Sequence, residues 1–234
     1  MWQGVAFGRP VSAGQEKDTL VLENMNIAQF NAIWKNYFDL NRCYGDIKKL
    51  LSRDPVMERA VAYAPGLRVL CQEPWEALCS FIFSQNNNIP RIKGIVERFC
   101  DAFGEKREGI SAFPAPETVA NLTVEDMAEV RAGFRAKYIL DAARKVSSGE
   151  VDLKQLAYVP TDQAREVLMR IHGVGPKVAD CALLYGLGHV DAFPADVWIN
   201  RAVDTFFPSG FPALFRPVAG IAQQYLFHYA RNNL

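Results

Sequence analysis

The 234-residue chain has no excess of charge of either sign: 26 Lys and Arg stand against 26 Asp and Glu. A protein that coats nucleic acid by bulk electrostatics is usually strongly basic, so any nucleic-acid contact here must come from a local patch and from backbone donors. Closely spaced cysteines are missing too. Cys43, Cys71, Cys79, Cys100 and Cys181 are scattered without a CxxC pair. That spacing argues against a disulfide framework, a zinc site or an iron–sulfur cluster, and for a reducing compartment. The chain opens without a charged-then-apolar leader, and no apolar run approaches the roughly 20 residues of a membrane-spanning helix. Internal repeats and low-complexity tracts are absent. These absences point to an intracellular protein with no membrane partner, read here as a monomer.

Half the residues are hydrophobic and 12% are aromatic, enough to bury a sizeable core. Residues 1–23 carry Gly, Pro and Ser punctuation around short β-like pieces such as 19–22. Helical periodicity then dominates. The spacing predicts helices over about 27–38 behind an Asn26 cap, 74–83, and 90–103 with Pro90 in the first turn. Others are expected near 117–130, 135–147, 161–171, 176–187, 196–205 and 217–232, with links at 104–116 and 147–160. The expected class is mostly α: a β segment over 1–23 and a helical domain over 24–234, two-lobed, with a helix–hairpin–helix near 161–187.

The hairpin carries the most chemistry. In Ile171-His172-Gly173-Val174-Gly175-Pro176-Lys177-Val178, two glycines permit positive φ and leave the backbone bare. Pro176 starts the next helix without wasting an N–H. The free N–H groups of that first turn, at the positive end of the helix dipole, suit a phosphate. Gly-x-Gly alone is more often an ordinary tight turn. A lysine in the first helical turn is another matter, because the dipole disfavours a cation there. The same field favours the neutral, nucleophilic amine. Asp196, nineteen residues on, reads equally well as the N-cap of the following helix and as a carboxylate facing positive charge developing at a sugar.

Four blocks together resemble the helix–hairpin–helix glycosylases, and within them the 8-oxoguanine DNA glycosylase family. They are Gly175-Pro176-Lys177-Val178-Ala179-Asp180-Cys181, Ser84-Gln85-Asn86-Asn87-Asn88-Ile89-Pro90-Arg91, Gly133-Phe134-Arg135-Ala136-Lys137-Tyr138 and Ala222-Gln223-Gln224-Tyr225-Leu226-Phe227. The resemblance runs from about Val61 to the C-terminus. It implies a bifunctional enzyme of base-excision repair whose partner is damaged double-stranded DNA, in which Lys177 attacks C1′ and forms a Schiff base that ends in β-elimination. It assigns Asp196 to stabilise the developing charge, and Cys181 and Phe227 to stack on the flipped base. Gln223 would read the pairing edge of that base. Asn86 would fill the vacated space, Arg91 and Arg135 would contact the orphaned partner, expected to be cytosine, and Phe134 would wedge the step opposite. Gly173, Gly175 and Val178 would hold the DNA backbone.

Each residue also has a plain structural reading. Cys181 could be a buried helix cysteine, Gln223 and Phe227 an amphipathic face, Asn86–Asn88 a capping turn, Phe134 a core residue and the arginines solvated charges. No cofactor or metal is expected, although the hairpin carbonyls leave room for a monovalent cation. Three departures from the family pattern stand out. The β segment reads as shortened and lacks the glycine that senses the lesion. Trp198 replaces a phosphate-contacting histidine, and Tyr185 replaces a methionine. The alternatives are a related glycosylase acting on another base, or a DNA-binding module without lesion discrimination.

Overall fold

Alternation sets the first elements of the structure, a computed structural model that describes residues 1–17, 19–23, 25–107 and 110–234. Strands β1 (Trp2–Ala6), β2 (Arg9–Glu16) and β3 (Thr19–Glu23) form an antiparallel sheet in the order β1-β2-β3, with Gly4 opposite Val11 and Ala13 opposite Leu22. Val11 and Ala13, two apart on β2, point to one face and pack with Ala6 against Trp34 and Tyr37. The boundary expected between 23 and 24 falls on Asn24, outside the described residues. So do 108 and 109 in the link expected over 104–116.

Asn26 caps as expected: its side chain accepts from Gln29 N (2.9 Å), and Gln29 Oε1 accepts from Asn26 N (3.1 Å). The single helix expected over 27–38 is broken, however. It runs as α1 (Ile27–Gln29), a π-helical stretch Phe30–Trp34, and α2 (Lys35–Tyr37). This places Trp34 edge-on to Tyr37, with ring centroids 5.6 Å apart beneath the sheet.

Two helices follow that periodicity had not suggested, α3 (Tyr44–Leu51) and α4 (Pro55–Tyr63). Asp54 caps α4 through Val56 N and Met57 N, directly before Pro55 at its first turn. Next come α5 (Pro74–Ser84), α6 (Ile89–Phe103), a small hairpin β4 (Lys106–Arg107) and β5 (Ile110–Ser111), and α7 (Pro116–Ala120). The helix expected over 117–130 therefore ends early. Asp126 Oδ2 accepts from both Thr123 N and Thr123 Oγ1 at 2.8 Å, and this side-chain turn displaces helical bonding. Two 3₁₀ turns, Ala128–Val130 and Gly133–Arg135, lead into α8 (Ala136–Ser147).

The remainder is α9 (Leu153–Leu156), inside the stretch expected as a link, then α10 (Thr161–Leu168), α11 (Pro176–Gly186) and α12 (Val197–Phe206). A 3₁₀ turn, Ala213–Val218, precedes α13 (Ala219–Ala230). The core is built where α11 lies on α5: Val178, Ala179, Ala182, Leu183 and Leu184 meet Trp75, Leu78, Cys79, Ile82 and Phe83 in one apolar cluster. Arg165 ties α10 to α11, its Nε donating to Asp180 Oδ1 at 2.6 Å while its other arm holds Asp162. Among the described residues, no helix is long and apolar enough to cross a membrane.

Candidate active site

The hairpin between α10 and α11 uses its two glycines differently. Gly173 has φ +81°, and a Cβ there would lie 2.4 Å from the Tyr138 ring. Only glycine satisfies both constraints. Gly175 does not use a positive φ: its backbone is extended (φ −98°) and a Cβ would meet nothing within 4 Å. Bareness rather than torsion distinguishes that position, and it is where a ligand could approach the backbone. The Val178 side chain is buried in the core, so only its backbone N–H could serve a phosphate. Gly175 caps α11 without a side-chain acceptor, which leaves the first-turn donors for a ligand. Asp141 Oδ2 accepts from His172 N (2.7 Å) and pairs with Lys145 (2.9 Å), bracing the hairpin from α8.

Because α11 buries nearly every side chain after its first turn, Lys177 is held at the edge of a small cleft. Phe81, Lys177, Cys181, Tyr185, Pro194, Asp196, Gln223, Gln224 and Phe227 line this space of about 120 Å³. Five of these are the residues singled out from sequence as nucleophile, charge stabiliser and base contacts. Four separate elements supply the cleft: α5, α11, the 194–196 segment leading into α12, and α13. Lys177 Nζ stands 5.5 Å from the Phe81 ring centroid and lies against the Cys181 thiol. Among the described residues it enters no ion pair. Asp196 Oδ1 accepts from Ile199 N at 2.8 Å as the N-cap of α12, so the capping reading is realised. The second carboxylate oxygen is not used in that cap, and the residue still lines the cleft.

Burial dominates the electrostatics here. Cys181 is 3% exposed; desolvation pushes its thiol up to about 11, against the opposing pull of Lys177. It is therefore a neutral, polarizable surface near neutral pH rather than a nucleophile. Burial likewise raises the Tyr185 hydroxyl. Gln223, 3% exposed, donates from Nε2 to Pro194 O (3.2 Å) and accepts at Oε1 from Gln224 Nε2.

A second group gathers where α5 ends. Asn87 Nδ2 donates to Phe83 O (3.0 Å), closing α5, and Asn88 Oδ1 accepts from Arg91 N (3.0 Å), opening α6. The capping reading thus accounts for two of the three asparagines. Asn86 is exposed, has φ +46°, and its side chain is engaged by none of the described residues. Arg91 is exposed. Arg135 is only 2% exposed. Its guanidinium donates to Gln85 O (2.8 Å from Nε), Asn86 O (2.9 Å) and Ala132 O (3.2 Å), and stacks over Phe134 at 4.4 Å. The solvated-charge reading does not apply to it: in this structure its donors hold the asparagine turn in place. Phe134 is 47% exposed, so it is not a core residue. Trp198, 50% exposed, and Val197 project from the first turn of α12 beside Asp196.

Phe81 and Gln224 were not distinguished from sequence. Phe81 reads as an inward position of an amphipathic helix, and nothing local shows that its neighbours across the packing are Lys177 and Tyr185, whose ring lies 5.2 Å away. Among the described residues, no cluster of three or more His, Cys, Asp or Glu could hold a metal ion.

Residues 1–78 match the 8-oxoguanine DNA glycosylase N-terminal domain, and residues 79–210 match the HhH-GPD superfamily base excision DNA repair proteins. An N-glycosylase/DNA lyase from Saccharomyces cerevisiae is 39% identical over 153 residues, which cover 58% of this chain and 40% of the yeast protein. A solved 8-oxoguanine glycosylase/lyase from Clostridium acetobutylicum is bound to duplex DNA with cytosine opposite 8-oxoguanine. It superposes with TM-score 0.91 at 37% identity, over 99% of this chain and 84% of its own. The structure of MBOgg1 with a low-affinity DNA ligand gives TM-score 0.91 at 46% identity, over 99% and 85% of the two chains.

Proposed function

Since the chain belongs to the HhH-GPD superfamily of base excision DNA repair proteins, we propose that it excises oxidised guanine from duplex DNA and nicks the strand at the resulting site. One observation carries this reading: an amine, a carboxylate, a thiol, an amide and an aromatic ring from separate elements share one cleft. That cleft sits at the start of a helix whose first-turn donors suit a phosphate. A base in a stacked duplex cannot reach such a cleft, so the nucleotide must be flipped out.

The chemistry balances without a cofactor. The Lys177 amine adds to C1′ as the bond from C1′ to the base breaks and the base departs with the electron pair. Asp196 stabilises the positive charge that develops on the sugar. Ring opening of the aminated sugar leaves an iminium at C1′, and loss of a C2′ proton then expels the 3′ phosphate by β-elimination. Cys181 and Phe227 present polarizable and aromatic surfaces for the base. Gln223 offers it a fixed amide. Asn86, Arg91 and Phe134 form the surface for the vacated space and the orphaned base, while Arg135, buried on the carbonyls of Gln85 and Asn86, holds that turn from behind. Cytosine is the proposed partner because its free acceptors suit the donors of Arg91.

Borohydride reduction of a reaction with an 8-oxoguanine·cytosine duplex tests the proposal. The native chain is expected to give a covalent protein–DNA adduct and Lys177→Gln none. No adduct from the native chain with this or any other lesion duplex would refute it.

A further inference from the structure

Gln223 is held from both sides. A backbone carbonyl can only accept, so the side of the amide facing Pro194 O must be Nε2. Its oxygen therefore faces Gln224, whose Nε2 must be the donor. The Gln224 amide in turn lies beside the Tyr185 hydroxyl, which burial keeps protonated. All four residues line the cleft that holds Lys177. Turning the Gln223 amide over would set its oxygen against the Pro194 carbonyl and its amine against the Gln224 amine. One repulsive pair would replace the Pro194 hydrogen bond, and a second would arise wherever the Gln224 amide keeps its present direction, in a site where unpaired polar groups are costly.

We propose that Gln224, supported by Tyr185, is a specificity-determining positioning residue that fixes which end of the Gln223 amide meets the flipped base. Gln223 Oε1 keeps one lone pair for a donor on that base. The relay therefore favours a purine whose pairing edge carries an N–H donor at N1, as guanine does, over one with an acceptor there, as adenine has. Oxidation of the imidazole half leaves this distinction intact, so the relay selects on the edge opposite the lesion. This inference rests on the proposed glycosylase reading for its substrate but not for its geometry.

The test has two arms. Without DNA, the Gln223 side-chain amide protons are followed by NMR hydrogen exchange. Slow exchange is expected in the native chain, and exchange about tenfold faster in Gln224→Met, which keeps bulk but cannot donate. Unchanged exchange overturns the relay. With DNA, base release from 8-oxoguanine and 8-oxoadenine duplexes is measured and divided by abasic-site cleavage by the same variant. Gln224→Glu, which can only accept from Gln223, is expected to lower the 8-oxoguanine to 8-oxoadenine ratio by about tenfold. Gln224→Met is expected to lower it less, and Tyr185→Phe least. An unchanged ratio, or losses equal for both bases and for abasic cleavage, overturns the selectivity role. If the native chain releases neither base, the glycosylase reading fails while the exchange arm still decides the relay.

Discussion

At the scale of single residues, Asp196 shows how one side chain can serve two purposes that substitution separates. Asparagine is as good an N-cap as aspartate but carries no charge. Asp196→Asn should therefore keep the Ile199 N bond that opens α12 and leave the melting temperature nearly unchanged. If the carboxylate stabilises the developing sugar cation, base release should still fall by on the order of 10²–10³. Asp196→Ala should lose the cap as well, at about 1 kcal/mol of stability. A single-turnover assay beside a thermal melt reads both. Full activity in Asp196→Asn would reduce the residue to a cap. The motif made Lys177, Cys181 and Asp196 legible because their spacing along the chain carries information. The same reasoning could not foresee that Arg135 would be buried on the carbonyls of Gln85 and Asn86, fifty residues away in sequence.

At the scale of elements, the hairpin stands on a contact between α8 and the turn before α11. The Tyr138 ring lies edge-on to His172 at 4.9 Å and fills the space where a Gly173 Cβ would be. Gly173→Ala therefore meets both a positive φ and a ring that cannot easily move aside. The expected cost is about 1–3 kcal/mol in urea unfolding, typical of an overpacked site. Duplex affinity should fall equally for damaged and undamaged DNA, because a phosphate grip reads no sequence. Gly175→Ala should fold normally, since nothing obstructs its Cβ, and lose DNA affinity only. Helix starts were readable where a capping residue and proline announced them, as at Glu73-Pro74 and Asn88-Ile89-Pro90. The helices α3 and α4 were missed although Asp54-Pro55 carries the same signal. The break after Ala120 was hidden because the Thr123–Asp126 side-chain turn competes with a helix of similar composition.

At the scale of the whole molecule, the sheet meets the helical body at a cleft of about 390 Å³, where the turn residues Phe7 and Gly8 face Glu73, Trp75 and Glu76 at the start of α5. Burial, reinforced by the Glu73 charge, pushes the Glu76 carboxyl up to about 7. Its folded pKa is raised, so the folded state holds a proton that the unfolded chain releases near 4.5. The resulting stability is fully present below pH 4.5 and is lost as pH rises through 7. Glu76→Gln should flatten that slope. It should stabilise the protein by about 1–3 kcal/mol at pH 8 and change little at pH 4. Urea unfolding at the two pH values measures this, and an equal effect at both would contradict it. The net charge of zero also has a consequence here. With no global field, the proposed DNA contact would rest on the hairpin donors and on the surface around Arg91.

Read without its fold, the chain marked Lys177 and Asp196 as candidates, because a lysine set against the helix dipole and a capping aspartate are local patterns, and the resemblance of four blocks supplied the reaction proposed for them. It also specified its mostly helical class through periodicity. Which side chains share the cleft was decided only in three dimensions. Phe81 and Gln224 join Lys177 there because α5 and α13 pack against α11, and packing partners distant in sequence leave no periodic trace. The direction of the Gln223 amide was likewise settled only there, by a backbone carbonyl and a neighbouring amide whose positions come from the tertiary fold.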